Sequence, residues 1–134
     1  MEKKNLALAR RWFEEVWNKR RAAAVPPLVT AETIGHMEHG NVRGVEEFLK
    51  VHAEFLRMVP VLHMAVEASI ADGDTVVVRW HASATHGGDG FGLKATNRKI
   101  TFRGMTWFRF EDGKIVEAWD GWNMGGMIQQ LHAP

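Results

Sequence analysis

The chain has 134 residues, the size of a single domain, and we expect it to bury roughly two-thirds of the surface that its unfolded form exposes. A net charge of +1 excludes a general electrostatic attraction to nucleic acid or membranes, so neither is an expected partner. Cysteine is absent, which excludes disulfides, thiolate catalysis and cysteine-ligated metals. The N-terminal segment is amphipathic rather than continuously apolar, so we expect no signal peptide or membrane span, and cytoplasmic localisation by default.

Two amphipathic helices are predicted in the first half of the chain. In residues 3–18, apolar side chains recur at spacings of three and four, at Leu6, Ala9, Phe13, Val16 and Trp17. A second helix is predicted over residues 44–59, where Pro60 ends it, and His52 on its apolar stripe is expected to be a boundary or core residue rather than a ligand. Between them, residues 33–39 form a short possible strand. His36 and His39 would lie on its opposite faces, so we predict no metal site there.

From residue 62 onwards the apolar period changes from 3.6 to 2, which predicts strands. One strand is predicted from Leu62, Met64, Val66, Ala68 and Ile70, a second over residues 75–86, and a third over residues 100–110. A fourth strand follows after a turn, and residues 127–132 form a short helical tail. Helices first and antiparallel strands afterwards predict a single α+β domain over residues 1–134.

The last two strands are predicted to form a hairpin. Asp112 and Gly113 lie between two alternating apolar runs, which is a strong hairpin signal because glycine accepts a positive φ. If Phe110 pairs with Lys114, then Asp120 lies opposite Gly104, and by the same register Ala118 lies opposite Thr106.

A carboxylate on an apolar strand face is the main candidate for chemistry in this chain. Asp120 shares its predicted face with Phe102, Phe108, Val116 and Trp122. Burying a carboxylate among such groups is costly unless it is paired or used. The alternatives are structural: Asp120 at a strand end in water, or as the cap of the helix that follows Asn123.

The economical arrangement of these elements is a curved antiparallel or mixed sheet wrapped around the N-terminal helices. Such a cone leaves an internal pocket, which we expect to hold a small hydrophobic molecule. Six tryptophans and seven phenylalanines are available to line it or to build the core.

Three segments carry a resemblance to a known family: ARRWFEEVWN, VVVRWHASATHGG and ITFRGMTWFRFEDGKIVEAWDGWNMGGMIQQL. They are similar to the SnoaL-like polyketide cyclases, a family of the cystatin-like α+β cone superfamily that includes nuclear transport factor 2 and ketosteroid isomerase. The resemblance implies ring closure by intramolecular aldol condensation without metal or cofactor. It also implies that Asp120 is the acid/base carboxylate. Where such cyclases place Gln and His, this chain has Gly104 and Thr106.

Two functions follow as hypotheses. The first is a cofactor-independent cyclase or isomerase acting on a hydrophobic carbonyl compound, in which Asp120 removes a proton next to the carbonyl. Thr106, Trp80, Trp122 and His36 are the candidate donors to the enolate, and Gly104 and Phe108 complete the candidate substrate contacts. The second is a non-catalytic module that binds a small apolar ligand, favoured by Gly104 because a missing side chain widens a pocket.

The other face of the hairpin predicts self-association. Alternation sends outward Arg103, Met105, Trp107, Arg109, Ile115, Glu117 and Trp119, with Arg79 beside them. An apolar patch of this size is rarely left in water. We therefore expect a homodimer through the outer sheet face.

Overall fold

The structure, a computed structural model, describes residues 1–38 and 40–133, so that predictions involving His39 fall outside the described residues. Its helices are α1 (Glu2–Arg11), continued by a π-helical segment (Trp12–Asn18), a 3₁₀ turn (Ala22–Ala24), α2 (Gly44–Met58) and α3 (Met124–His132). Its strands are β1 (Val29–Met37), β2 (Gly40–Arg43), β3 (Val61–Asp72), β4 (Thr75–Thr85), β5 (Lys99–Glu111) and β6 (Lys114–Trp122). No helix among the described residues is long and apolar enough to cross a membrane.

The strands form one curved six-stranded sheet in the order β2-β1-β6-β5-β4-β3. All neighbours are antiparallel except β1 and β6, which run parallel, so the sheet is mixed. The predicted α+β cone is therefore confirmed. Strand β2 was missed by the sequence analysis, because four residues beginning with a glycine carry too short an alternation to detect.

The π-helical segment that continues α1 is bound to the sheet and to α2 by side-chain hydrogen bonds. The Asn18 side chain donates to the Met64 carbonyl at 2.8 Å and accepts from the Met64 amide at 2.6 Å, which ties the helix end to β3. The His52 ring Nε2 lies 2.7 Å from the Val16 carbonyl oxygen. His52 is buried, so its predicted place in the core is confirmed.

The hairpin turn forms as predicted, but the register differs. Asp112 and Gly113 both have positive φ, at 49° and 77°, which defines a two-residue type I′ turn. A β-bulge at Val116 then adds one residue to β6, so that Thr106 faces Asp120 and Gly104 faces Trp122. The predicted pairing of Asp120 with Gly104 was therefore wrong by two residues: one from the turn, where Glu111 rather than Phe110 pairs with Lys114, and one from the bulge. Such a shift leaves the face of every side chain beyond the bulge unchanged.

A bulge corrects one predicted side-chain orientation. Ile115, expected on the outer face, pairs with Phe110 before the bulge and is buried at 2% exposure. Alternation alone does not reveal a bulge, which is why Ile115 was misplaced. On β3 a second irregularity, between Val66 and Ala68, leaves Ile70 facing outward, where it is 71% exposed.

Gly104 fills a different role from the one predicted for it. A Cβ atom there would lie 2.5 Å from the Trp80 ring, 2.6 Å from the Trp122 Cβ and 2.6 Å from the Gly121 carbonyl oxygen. The space left by the missing side chain is therefore occupied by two tryptophans, and Gly104 does not widen the pocket.

Gly104→Ala should destabilise the protein by about 2 kcal/mol, because the added methyl group overpacks a site closed by the Trp80 ring, the Trp122 Cβ and a backbone oxygen. Gly121→Ala on the adjacent strand is the matched control, since a Cβ there meets nothing within 4 Å. Urea unfolding followed by tryptophan fluorescence measures both variants. Equal stability losses in the two variants would contradict this packing.

Candidate functional site

A cavity of about 610 Å³ lies between the concave face of the sheet and the helices, within the range of small-molecule sites. Its walls are mainly aromatic, formed by Trp12, Phe13, Trp17, Phe55, Trp80, Phe91, Phe102 and Trp122. Two helical segments, the sheet and the loop between β4 and β5 contribute these rings, so the cavity exists only in the assembled fold. Its polar groups are few: Glu38, Lys50, Glu54, Thr106 and Asp120.

The carboxyl group of Asp120 is held by a chain of hydrogen bonds across three neighbouring strands. The Thr106 hydroxyl donates to Asp120 Oδ1 at 2.6 Å, and the Trp80 Nε1–H donates to that hydroxyl at 3.0 Å. Thr106 on β5 lies directly opposite Asp120 on β6, while Trp80 reaches across from β4. The corrected register is what brings the hydroxyl and the carboxyl together.

The surroundings of Asp120 raise its pKa from 3.8 to about 6. Burial is the main cause, because an apolar environment disfavours the charged form. The hydrogen bond from Thr106 acts in the opposite direction, and the negative charge of Glu38 raises the pKa further. Asp120 is therefore a carboxyl group that changes its charge close to neutral pH.

Glu38 is a functional candidate that the sequence analysis missed. It follows β1 in a turn, lines the cavity, and its Oε1 accepts a hydrogen bond from the Trp122 backbone amide at 3.1 Å. Turn residues have no periodic pattern, so nothing in the sequence pointed to this second carboxylate.

Phe91 is the second element that was missed. It lies in the loop between β4 and β5 with φ at 56°, in a tight turn closed by two backbone hydrogen bonds between Gly90 and Leu93. Its ring lines the cavity and packs edge-on against Phe55, with ring centroids 6.2 Å apart. A left-handed conformation at a bulky residue is uncommon, which leaves no sequence signal for it.

The structure brings together four of the predicted site residues. Asp120, Thr106, Trp80 and Trp122 all line the cavity, as their alternation predicts. The Trp80 and Thr106 donors are used within the protein, whereas the sequence analysis placed both against an enolate. Whether any of the four contacts a substrate stays a prediction.

The other predicted contacts lie elsewhere. Phe108 is buried in the core against Phe13 rather than lining the cavity. His36 lies on the outer face, stacked on Trp119 with its Nε2 2.7 Å from Glu117, because β1 pairs with β6 in a register that places His36 beside Trp119.

The structure settles one of the alternatives for Asp120, its role as a helix cap. Helix α3 is capped by Asn123, whose Oδ1 accepts from the Gly126 amide at 2.8 Å, so Asp120 is not the cap.

Across residues 1–38 and 40–133, no three histidine, aspartate or glutamate side chains group in a way that would hold a metal ion.

Solved structures with this architecture come from several bacteria. A protein from Jannaschia sp. CCS1, named as a SnoaL-like polyketide cyclase, superposes with a TM-score of 0.92 at 21% identity, over 99% of this chain and 94% of that one. AclR from Streptomyces galilaeus, named as a hydroxylase, gives a TM-score of 0.88 at 25% identity, over 98% and 83% of the two chains. IdmH from Streptomyces antibioticus, named as a polyketide cyclase, gives 0.83 at 22% identity, over 96% and 99%.

No curated protein sequence matches this chain. The sequence profile of the SnoaL-like polyketide cyclases matches residues 7–131, which is nearly the whole length and includes Asp120 and every residue that lines the cavity. Together with the cone fold, this match shows that the chain belongs to the SnoaL-like polyketide cyclase family.

Proposed function

We propose that this protein is a cofactor-independent acid/base enzyme that cyclises or isomerises a hydrophobic carbonyl compound. One observation carries the proposal: a carboxyl group with a pKa of about 6 lies in a mainly apolar, aromatic-rich cavity large enough for a small molecule. A base whose pKa lies just below the working pH combines a high ionised fraction with useful basicity.

The proposed reaction begins with proton transfer. Ionised Asp120 removes a proton from the carbon next to a substrate carbonyl, and the electron pair of that C–H bond moves onto the carbonyl oxygen as an enolate. In an aldol-type cyclisation the enolate carbon then forms a bond to a second carbonyl carbon of the same molecule. The carboxylic acid of Asp120 returns its proton to the resulting alkoxide, so Asp120 ends the cycle ionised.

The enolate oxygen needs hydrogen-bond donors, and the tryptophans are the available source. Trp12, Trp17 and Trp122 line the cavity, and their indole nitrogens have no hydrogen-bond partner in the described part of the chain. Donors placed where charge develops contribute strongly inside a site from which water is excluded. We propose Trp122 as the first of these, because it follows Asp120 by two residues on the same face of β6.

A non-catalytic module that binds a small apolar ligand is the second candidate function. It is favoured by the hydrogen bonding of Thr106, whose hydroxyl is already committed to Asp120 and Trp80 and so offers no donor to an enolate. The two functions share the cavity and differ in whether Asp120 exchanges a proton with the ligand.

Asp120→Asn should reduce proton exchange at least about a hundredfold, because the amide keeps the shape of the carboxylate but cannot act as a base. The measurement is deuterium incorporation next to the carbonyl in a panel of hydrophobic β-diketones and β-ketoesters, followed by NMR. With wild-type protein, kcat/KM should rise with pH and level off above about 6, where Asp120 is ionised.

Glu111→Gln is the matched control for that experiment, since it makes the same change on an exposed residue of the same hairpin. It should leave exchange unchanged. Binding of the panel compounds without any exchange above the background rate would favour the binding module.

Asp120→Asn should also change how stability depends on pH. Between pH 3.8 and about 6 the folded protein holds a proton on Asp120 that the unfolded chain has released, so wild-type stability falls as pH rises through this range. The amide removes this dependence. At pH 8 the variant should be more stable than wild type by about 3 kcal/mol, and this gain should shrink towards pH 4. A stability difference that does not change between pH 4 and pH 8 would contradict the raised pKa.

We also propose that two copies associate through the outer sheet face. Met105, Trp107 and Trp119 are 56%, 51% and 39% exposed there, and the β3 bulge adds Ile70 to the cross-strand row of Trp107 and Trp119, with Met105 in the neighbouring row. Both signs of charge border the row, at Arg79, Arg103, Arg109 and Glu117. A two-fold axis through this face lets the cations of one copy meet the carboxylates of the other, which suits a homodimer.

Trp107→Glu should convert this dimer into a monomer, because it places an unpaired charge at the centre of the apolar row. Val61→Glu is the control: Val61 is 61% exposed but lies at the far end of β3, and its variant should remain dimeric. Sedimentation equilibrium at micromolar concentration measures both. A one-chain mass for the wild-type protein would contradict the proposal.

A further inference from the structure

We propose that Thr106 and Trp80 are positioning residues that fix the carboxyl group of Asp120 and leave a single oxygen, Oδ2, to exchange the substrate proton. This inference deepens the proposed function and rests on it. It assigns to Thr106 and Trp80 a role different from binding the substrate, because their polar atoms are already used within the protein.

The direction of the hydrogen bonds follows from chemistry alone. An indole N–H can only donate, so the Thr106 hydroxyl oxygen must accept from Trp80 Nε1. A hydroxyl has only one proton to give, and the Thr106 proton is therefore directed to Asp120 Oδ1, 2.6 Å away. Thr106 and Trp80 are 3% and 4% exposed, so water does not compete for either group.

Because these hydrogen bonds run from Trp80 through Thr106 to one oxygen of Asp120, the two carboxyl oxygens are inequivalent. Oδ1 accepts from Thr106, whereas Oδ2 has no hydrogen-bond partner among the described residues. The hydroxyl lies on β5, with β4 and β6 paired on either side, so its position is fixed by the sheet rather than by a loop. The lone pairs of Oδ2 are thereby held in one orientation towards the cavity, as general-base catalysis requires.

The hydrogen bonds from Trp80 through Thr106 to Asp120 oppose burial and the charge of Glu38, which both favour the protonated form of Asp120. The titratable groups that line the cavity with Asp120 are Glu38 from the turn after β1, and Lys50 and Glu54 from α2. Of these three groups, Glu38 is the one whose charge contributes to the pKa of Asp120, and it raises it; Glu54 is bound to Arg57. Thr106 is the one side chain in the described part of the chain that donates to the Asp120 carboxylate, and this bond stabilises the ionised form.

A purely structural role for Thr106 makes a different prediction. Valine has almost the same shape, so a packing residue could be replaced without any effect on the ionisation of Asp120. A positioning residue could not, since the methyl group of valine donates no hydrogen bond to the carboxylate. The ionisation of Asp120 therefore distinguishes the two roles.

The test is a ¹³C NMR titration of the Asp120 carboxyl group, assigned by the loss of its signal in Asp120→Asn. Thr106→Val should raise the pKa of Asp120 by about one pH unit relative to wild type, because the hydrogen bond that Thr106 donates to the charged form is lost. Thr106→Ser keeps the hydroxyl and should keep the wild-type titration. An unchanged pKa in Thr106→Val, or a lowered one, would overturn the proposal.

Thr106→Val leaves the Trp80 N–H buried without an acceptor, which could prevent folding. The double variant Trp80→Phe with Thr106→Val removes donor and acceptor together, and it should show the same upward shift. Failure of the double variant to shift the titration would equally overturn the proposal.

The deuterium-exchange assay adds a kinetic readout. In Thr106→Val the pH at which kcat/KM levels off should move upward with the titration, and the plateau should fall about tenfold because the base is less well oriented. The titration needs no substrate, so its outcome tests the positioning role even if wild-type protein exchanges no proton. If the wild-type protein shows no exchange while Thr106→Val still raises the pKa of Asp120, the proposed function is overturned and the positioning role is not.

Discussion

The close approach of the Trp80 ring to Gly104 is the contact on which the site depends. Any side chain at position 104 would meet the ring at 2.5 Å, so the indole can lie over β5 only because the position is a glycine. With the ring in place, its Nε1–H reaches the Thr106 hydroxyl, and that hydroxyl reaches Asp120. A missing side chain on one strand thus determines the environment of a carboxyl group on the next.

The sequence predicts the faces of the strands well and their pairing less well, for a physical reason. Period-2 alternation depends on each strand alone, so it placed Asp120, Thr106 and Trp122 on the cavity side even though the register was wrong. Pairing depends on a bulge at Val116, which has no signature in composition. Ile115 lies before this bulge and is buried, whereas the prediction placed it on the outer face.

The site itself was only partly predictable. Asp120 stood out because an acidic residue interrupts an apolar face, but its partners depend on how three strands lie side by side. Glu38 and Phe91 come from turns, where neither period applies, and both reach the cavity only through the tertiary fold. His36 was predicted as a donor in the cavity, but β1 places it on the outer face of the sheet, away from the cavity.

In the proposed reaction, Gly104 and Thr106 stand where the family resemblance implies Gln and His, so the donors to the enolate must come from other residues of the cavity. Gly104 and Thr106 provide no free donor, yet they allow Trp80 and Asp120 to be linked, and the cavity keeps three indole N–H groups that no described residue accepts. Indole donors are rigid and their rings are apolar, so they can hold an enolate oxygen without introducing a charge that would alter the pKa of Asp120. The absence of a charge on these donors matters for the proposed reaction. A cation placed beside Asp120 to hold the oxyanion would lower the pKa of Asp120 and weaken it as a base.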